Sequence, residues 1–299
     1  MKPFTMTYSR TVSRCFSLIF GLVIVIGGMA TARAQTQTVY NSIPKPLPPN
    51  VGSEGPEAYA FSELGDGFVL QGATGGTLGQ VTVVLSSWAC QSGNWFSGNC
   101  VTSNGATFSQ SITVNVYPES LVGGVPTPGI KLASITQTFN IPYRPTSDPV
   151  KCDATAWFNK KDGNCYHGFA TPISVNFSGM HVPIPTNNTL IVTVAYNTTH
   201  YGPVPVGESA ACYTASAGCP YDSLNISTDS NDGNYQTIGA VLDLNGIFVN
   251  YTLPNSSCTG TAGPGLALDT SAGCWAGFHP EIQVQANTNA THHPKGNGP

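Results

Sequence analysis

Apolar and polar residues alternate with a period of two along much of the chain. In the segment SITVNVY, Ile112, Val114 and Val116 fall on one side of an extended strand, whereas Thr113 and Asn115 fall on the other. Similar segments are GFVLQ (67–71), GQVTVVLSSW (79–88), KLASITQTFNI (131–141), ISVNFS (173–178), TLIVTVAY (189–196), TIGAVLDL (237–244), IFVNYT (247–252) and EIQVQA (281–286). Such alternation predicts half-buried antiparallel strands.

This pattern determines the predicted fold class. No window of the sequence keeps an apolar stripe at helical spacing, and glycine and proline separate the predicted strands. The sequence therefore predicts an all-β protein, a two-sheet antiparallel β-sandwich of the jelly-roll type with disulfide-stapled loops.

The predicted domain organisation is simple. Residues 1–34 are predicted to form a signal peptide and residues 35–56 an extended, proline-rich linker. Residues 57–286 form the single β-sandwich domain. Residues 287–299 are polar and are predicted to be a disordered tail.

Export is predicted from the N-terminus. Basic residues without acidic ones precede an apolar run at 16–28, and Ala32 and Ala34 match a cleavage site with alternating alanines. The run is shorter than the roughly 20 residues of a membrane helix, so we expect cleavage after Ala34 and no membrane span in the mature chain. The predicted location is secreted or extracellular.

Charge argues against a nucleic-acid partner. The chain has 11 basic and 15 acidic residues and a net charge of −4. Loss of the basic residues of the signal peptide would lower the net charge to about −8. The one adjacent basic pair, Lys160 and Lys161, is flanked by Asp153 and Asp162, so no basic patch is predicted.

The cysteines agree with export. Apart from Cys15, eight cysteines remain, an even number that indicates disulfides in an exported chain. Eight cysteines permit 105 pairings, but their spacing favours four local bridges: Cys90–Cys100, Cys152–Cys165, Cys212–Cys219 and Cys258–Cys274. Each bridge would close a short polar loop.

Metal sites are weakly indicated. The closest cysteines are farther apart than the ligands of a structural zinc site, and disulfides would leave no thiolate to bind zinc. Oxygen ligands crowd around a glycine at Asp229, Asn231 and Asp232, although Gly233 interrupts the calcium-loop pattern of an EF-hand. The segment is either an irregular calcium site or a turn rich in asparagine and aspartate.

Catalytic residues are not predicted. The segment GESAA (207–211) resembles a nucleophile elbow but lacks its second glycine. Glu119, Glu208, Asp222 and Glu281 could serve glycoside hydrolysis, yet nothing in the sequence pairs two of them across a cleft. No cofactor other than possible calcium is expected.

Aromatic residues in the stapled loops give a stronger functional indication. Trp95 and Phe96 lie at the tip of the loop between Cys90 and Cys100, and Trp157 lies in the next stapled loop. Exposed rings beside polar groups favour sugar stacking or a protein contact. The alternative is that these rings fold back and cap the core.

The segment 195–226 also has two interpretations, one as a ligand site and one as a structural loop. It places His200, Tyr201, Glu208 and Asp222 in a proline-interrupted connection around Cys212 and Cys219. These side chains predict either a shallow sugar or peptide site or a hydrogen-bonded loop network.

Five segments resemble an uncharacterised domain of exported bacterial surface proteins, some of which carry C-terminal sorting tails. They are SSWACQSGNW (86–95), GATFSQSITVNVY (105–117), TQTFNIPYRP (136–145), AYNTTHYG (195–202) and GCPYDSLN (218–225). The resemblance covers roughly residues 57–280 and implies an extracellular or surface β-sandwich. It supplies no catalytic residues.

The functional expectation is a secreted, non-catalytic module that binds a glycan or a cell-surface or matrix protein. Two alternatives remain, a carbohydrate-active enzyme and a purely structural exoprotein. An enzyme requires two carboxylates facing each other, whereas a structural protein would bury all the aromatic rings of its stapled loops.

Overall fold

The structure is a computed structural model that describes residues 34–56, 61–93, 95, 97–153, 155–196, 224–229, 236–251, 265–270, 275 and 277–289. Two seven-stranded sheets make up most of it, and two hairpins of two strands each accompany them. The strands within each sheet pair antiparallel. The predicted all-β, antiparallel class is therefore confirmed, and the jelly-roll connectivity stays a prediction.

The strands in chain order are β1 Ala34–Asn41, β2 Ser53–Glu54, β3 Phe61–Val69, β4 Thr77–Ser87, β5 Thr107–Tyr117, β6 Glu119–Val122, β7 Val125–Pro128, β8 Ala133–Pro142, β9 Trp157–Asn159, β10 Asn164–Tyr166, β11 Phe169–Asn176, β12 Thr189–Tyr196, β13 Leu224–Asp229, β14 Ala240–Val241, β15 Ile247–Tyr251, β16 Ala267–Asp269, β17 His279–Pro280 and β18 Ile282–Asn289. Sheet 1 has the order β1, β18, β4, β13, β17, with β11 also on β4 and β2 on β13. Sheet 2 has the order β16, β15, β3, β12, β5, β8, with β14 on β3. The hairpins are β6–β7 and β9–β10.

One hydrophobic core is shared by the two sheets. Val81, Val83 and Leu85 of β4 belong to it from sheet 1, and Ile112 and Val114 of β5 belong to it from sheet 2. All five are fully buried. Burial of each such side chain contributes about 1.5–3 kcal/mol, so the alternating strands supply the main stabilising term, as the sequence pattern predicts.

The outer face of sheet 2 departs from simple alternation, because a second apolar cluster covers part of it. Tyr117 of β5, Ile191 of β12 and Phe248 of β15 form this cluster, with β3 lying between β12 and β15. Partly buried leucines pack over it, namely Leu242, Leu266 and Leu268. Strand β12 is therefore buried on both faces over Thr189–Val194.

Asn115 was expected in solvent, but it is 3% exposed on this outer face. Its Nδ2 donates to Glu63 Oε1 at 2.8 Å, and its Oδ1 accepts from Lys131 Nζ at 3.0 Å and from Ser134 Oγ at 2.7 Å. These hydrogen bonds replace water, which is why a polar side chain is tolerated at a buried position.

The segment 35–56 belongs to the fold, although its proline-rich composition predicts an extended linker. β1 pairs with β18 as an edge of sheet 1, and Val39 and Tyr40 are fully buried. Farther along, the Pro49 carbonyl accepts from the Ala170 amide at 2.9 Å, and β2 pairs with β13. The proline-rich composition misled the prediction because prolines here occupy irregular backbone that packs along sheet 1.

The other domain limits also change. β18 continues to Asn289, past residue 286 where the domain was predicted to end. The predicted signal peptide up to residue 33 and the tail from residue 290 lie outside the described residues.

Two of the four predicted bridges are confirmed. Cys90 is bonded to Cys100 and Cys152 to Cys165. The predicted bridges Cys212–Cys219 and Cys258–Cys274 lie outside the described part of the chain. Among the residues whose structure is described, no helix has the length and apolar character of a membrane span.

Candidate functional site

The two disulfide loops are brought together by one pair of strands. β4 ends at Ser87, just before the Cys90–Cys100 loop, and β11 begins at Phe169, just after the Cys152–Cys165 loop. Ser87 and Phe169 are direct partners in the antiparallel register. The strand pairing therefore places both loops at the same end of sheet 1.

Arg144 connects the backbones of the two loops. Its amide donates to the Ala89 carbonyl at 2.9 Å, and its Nη1 donates to the Thr155 carbonyl at 2.8 Å. The Ser147 amide adds a hydrogen bond to the Cys100 carbonyl at 3.1 Å. Arg144 is fully buried, so the bond from its charged guanidinium to Thr155 is strong, and together with the two backbone bonds it holds both loops in one arrangement.

Three rings meet at this end of the sheet, and we call Trp88, Trp95 and His167 the aromatic cluster. The centroids of Trp88 and Trp95 are 4.7 Å apart in an edge-to-face arrangement, at an interplanar angle of 73°. The imidazole of His167 lies parallel to Trp88, with centroids 5.7 Å apart and an angle of 7°. All three residues are partly exposed. Both geometries are favoured for aromatic pairs, so the rings hold one another in place.

A glycine allows the Trp88 ring to lie close to the strand pair. A Cβ atom on Gly168 would come within 2.2 Å of Ser86 Oγ and 2.7 Å of Trp88 Nε1. Trp88 Nε1 donates to Ser86 Oγ at 3.1 Å, and this hydroxyl donates to Asn50 Oδ1 at 2.8 Å. Residue 168 must therefore be small, and the polar edge of the indole is satisfied.

A carboxylate stands beside the aromatic cluster. Asp153 accepts hydrogen bonds from the hydroxyl and the amide of Thr155 at 2.6 and 2.9 Å, and these bonds lower the pKa of Asp153. Its Oδ2 lies 3.9 Å from His167 Nε2, and the Thr155 hydroxyl is 3.3 Å from His167 Nδ1. The Asp153 and His167 side chains are 63% and 42% exposed, so polar groups and rings face solvent together.

Trp157 does not share this exposure. It is 5% exposed, its Nε1 donates to the Gly168 carbonyl at 2.9 Å, and its ring packs near Tyr166 and Phe169. Trp275 is also fully buried, and its Nε1 donates to the Tyr251 hydroxyl at 2.9 Å. The expectation that Trp157 offers its ring to a ligand is therefore not met, because this ring packs beneath the loop.

A groove of about 610 Å³ lies next to the same loops. Its lining includes Tyr143, Phe169, Thr102, Ser103 and Asn104. This mixture of two rings with hydroxyl and amide groups, without a charged side chain, suits an uncharged polar ligand.

A second group of ionisable residues lies deep in the sandwich, and we call Asp66, Asp229, His279 and Glu281 the buried ionisable cluster. Asp66 Oδ2 and His279 Nδ1 are 2.7 Å apart, and this contact joins β3 of sheet 2 to β17, which pairs with β13 of sheet 1. Asp229 is the direct strand partner of His279. All four residues are between 0 and 3% exposed.

Burial changes the proton affinities of this cluster. Desolvation raises the pKa of Asp66, although His279 opposes this change. Burial by itself would lower the pKa of His279, but the hydrogen bond and charge of Asp66 outweigh that effect and raise it. Desolvation raises the pKa of Glu281 to about 8, and the nearby Asp229 adds to this effect. Glu281 therefore retains its proton at neutral pH.

The carboxylates considered for glycoside hydrolysis do not form a reactive pair in the described residues. Glu281 is buried, and Glu119 Oε2 accepts from Asn187 Nδ2 at 3.1 Å and from Thr189 Oγ1 at 2.9 Å. Neither environment offers the two carboxylates flanking a substrate bond that this chemistry needs. Glu208 and Asp222 lie outside the described residues.

Of the six remaining predicted site residues, five lie outside the described residues and one is described. Phe96, His200, Tyr201, Asn231 and Asp232 lie outside the described residues. Asp229 is described, but it is 2% exposed at the end of β13. Within the described part of the chain, no three His, Cys, Asp or Glu side chains are placed to hold one metal ion, and the calcium site stays a prediction.

Sequence reasoning missed the two residues that complete the aromatic cluster. Trp88 ends a predicted strand and His167 lies two residues after Cys165. Neither position in the sequence indicated that the two rings would contact each other. The useful signal was the pairing of the two flanking strands, since that pairing brings Trp88 and His167 together. Sequence reasoning also missed Asp66 and His279, whose contact spans 213 positions.

The fold defines an all-β protein, and its disulfides indicate an oxidising, extracellular environment. Comparison of the chain with protein-family models, with curated proteins and with solved structures finds no match.

Proposed function

We propose that this chain is a secreted, non-catalytic β-sandwich module that binds carbohydrate at the aromatic cluster, in association with a cell surface or an extracellular matrix. The observation that carries the proposal is the partly exposed arrangement of Trp88, Trp95 and His167 between two disulfide-braced loops. The resemblance of the sequence to exported surface domains is compatible with it.

The chemistry of the site supports a sugar ligand. The apolar face of a sugar ring stacks on an indole, while its hydroxyl groups need donors and acceptors at the rim. Asp153 and the His167 ring supply such groups beside the indoles. Since the disulfides and Arg144 fix the loops before binding, little conformational entropy would be lost when a ligand arrives.

The same features weigh against the alternatives. A purely structural exoprotein would bury the rings of its stapled loops, as happens at Trp157, whereas Trp88 and Trp95 remain partly exposed. A glycoside hydrolase needs two opposed carboxylates, and Glu119 and Glu281 are held in unrelated environments.

The test is a glycan-array screen of the protein spanning residues 35–299, purified with its disulfides oxidised, followed by titration of any ligand found. We expect binding by the wild type and at least a tenfold loss of affinity in Trp95→Ala, since a stacked ring contributes about 1.5 kcal/mol. Trp88→Ala should lose as much, because it also removes the support of Trp95.

The matched control is Leu121→Ala on the β6–β7 hairpin, which removes a side chain that is 65% exposed on a different surface. It should bind as the wild type does. The proposal fails if no glycan binds while the disulfides are intact, or if the affinity is the same in both tryptophan variants and the wild type.

A further inference from the structure

Strand β8 is the terminal strand of sheet 2, and β11 of sheet 1 lies near it without pairing with it. β5 pairs with it over its whole length, from Thr107 opposite Pro142 to Val116 opposite Ala133. On its other side, no strand of the described residues pairs with it. Ten residues of edge strand thus present backbone N–H and C=O groups that can accept another strand.

The other sheet edges carry features that discourage pairing, and β8 does not. β11 contains Pro172, β1 has a register irregularity between Thr38 and Tyr40, and β16 is three residues long. Prolines, bulges and short length are common protections of edge strands. From residue 133 to 141, β8 has no charged residue and no proline, and its register with β5 is unbroken.

The side chains of β8 form a polar outer row and an inner row that is apolar except at its centre, Gln137. Hydroxyl and amide groups on the outer face pair with the same kind of group on β5, with Thr136 Oγ1 at 2.7 Å from Thr113 Oγ1 and Ser111 Oγ at 3.4 Å from Thr138 Oγ1. Ile135 and Phe139 lie on the other face and pack against the core. Any strand added to β8 should therefore match polar with polar and apolar with apolar.

We propose that β8 pairs with β8 of a second copy of this chain, antiparallel and centred on Gln137. In this register Thr136 faces Thr138 and Ile135 faces Phe139, while Gln137 faces itself across the two-fold axis. Ser134 and Asn140 also become partners, so every pair keeps its chemical type. The resulting sheet of two copies would be continuous through the dimer interface.

The occupant is a second copy because the pattern of β8 is symmetric about its own centre. Polar residues at 134, 136, 138 and 140 and apolar residues at 133, 135, 139 and 141 both map onto themselves when the strand is reversed. A slip of two residues would set Gln137 against Phe139 or Ile135, which breaks this match. Without charges, two copies also meet without repulsion, and the two-fold symmetry closes the assembly at two.

The first test is the mass of the oxidised protein, residues 35–299, by sedimentation at concentrations up to about 0.1 mM, since an interface of one strand is small. We expect the mass to double as concentration rises. The double substitution Thr136→Lys with Thr138→Lys would oppose lysines across the two-fold axis and should leave a monomer. The control Ser109→Lys with Ser111→Lys puts equal charge on the same face one strand farther in, and it should still dimerise.

A cross-link tests the register and does not depend on those variants folding well. In Gln137→Cys the two cysteines would face each other with Cα atoms about 4.5–5.5 Å apart, within the range of a disulfide. In Ser134→Cys they would lie about 20 Å apart along the strands. We expect a covalent dimer from the first variant and none from the second.

Three results would overturn the proposal. One is a wild type that stays monomeric at all concentrations, with no cross-link in Gln137→Cys. Another is a dimer that persists in the double lysine variant, since its interface must then lie elsewhere. The third is equal cross-linking of the two cysteine variants. None of these results depends on whether the aromatic cluster binds a glycan.

Discussion

The aromatic cluster and the buried ionisable cluster both join residues that are distant in sequence, but different forces hold them. Trp88, Trp95 and His167 are kept together by ring contacts within two disulfide-braced loops, and they remain partly exposed. Asp66 and His279 are kept together by their own charges and hydrogen bond, and they are excluded from water.

This difference predicts opposite responses to substitution. Removing a ring from the surface leaves water to fill its place, so the cost falls on binding. Removing one member of a buried pair leaves the other without compensation, so the cost falls on the free energy of unfolding. Substitutions in the first region should therefore leave the fold intact, whereas those in the second should destabilise it.

The largest effect is expected from Asp66→Ala. His279 would remain 1% exposed without its partner, which costs about 3–5 kcal/mol of unfolding free energy. Urea denaturation measures this loss, and Lys160→Ala, which removes an exposed charged side chain, is the control expected to change stability by less than about 0.5 kcal/mol. A loss below about 1 kcal/mol in Asp66→Ala would show that the ion pair does not hold the two sheets.

The next effect is a pH dependence that Glu281→Gln should weaken. The pKa of Glu281 is raised from 4.5 to about 8 in the folded state, so the folded protein holds a proton that the unfolded chain releases between these values. Stability should therefore be greatest below about pH 4.5 for this group and should fall as the pH rises towards 8, by up to about 1.4 kcal/mol per pH unit.

The raised pKa values of Asp66 and His279 act in the same direction, so some of this slope should persist in Glu281→Gln. Thermal unfolding from pH 5 to 9 measures both slopes. Parallel curves for the wild type and Glu281→Gln would contradict the assignment of the proton to Glu281.

The smallest of the three stability effects is expected from replacing Cys90 and Cys100 by alanine. Loss of this bridge frees a short loop in the unfolded chain and costs about 2–3 kcal/mol in the chain-entropy model. At a temperature where the variant is fully folded, we expect its affinity for a glycan ligand to fall as well, because Trp95 lies in this loop. The matched variant lacks Cys152 and Cys165. Unchanged affinity in both variants would show that glycan binding does not depend on the bridges.

The sequence pattern predicted the strands well because alternation is a local property. Segments around Ile112, Ile173 and Leu190 all became strands with their apolar rows in the core. The bridges Cys90–Cys100 and Cys152–Cys165 were also predicted correctly, because closing a short loop costs less conformational entropy than closing a long one. Composition failed at residues 35–56, because proline content does not tell whether a segment packs on a sheet.

The candidate site was predicted only in part. Trp95 was identified from its place in a stapled loop, but Trp157 in a similar loop turned inward, where Gly168 accepts its indole N–H. Loop composition does not determine which rings face solvent, because that depends on the space left under each loop by neighbouring strands.

By itself, the sequence of this protein determined the all-β class, the position of most strands and two local disulfides, because each depends on residues a short distance apart. Only the tertiary structure decided that Trp88 stacks on His167, that Asp66 meets His279 and that β8 pairs on one side only among the described strands. These three features depend on which strands become neighbours, and strand order is set by the packing of the two sheets as a whole.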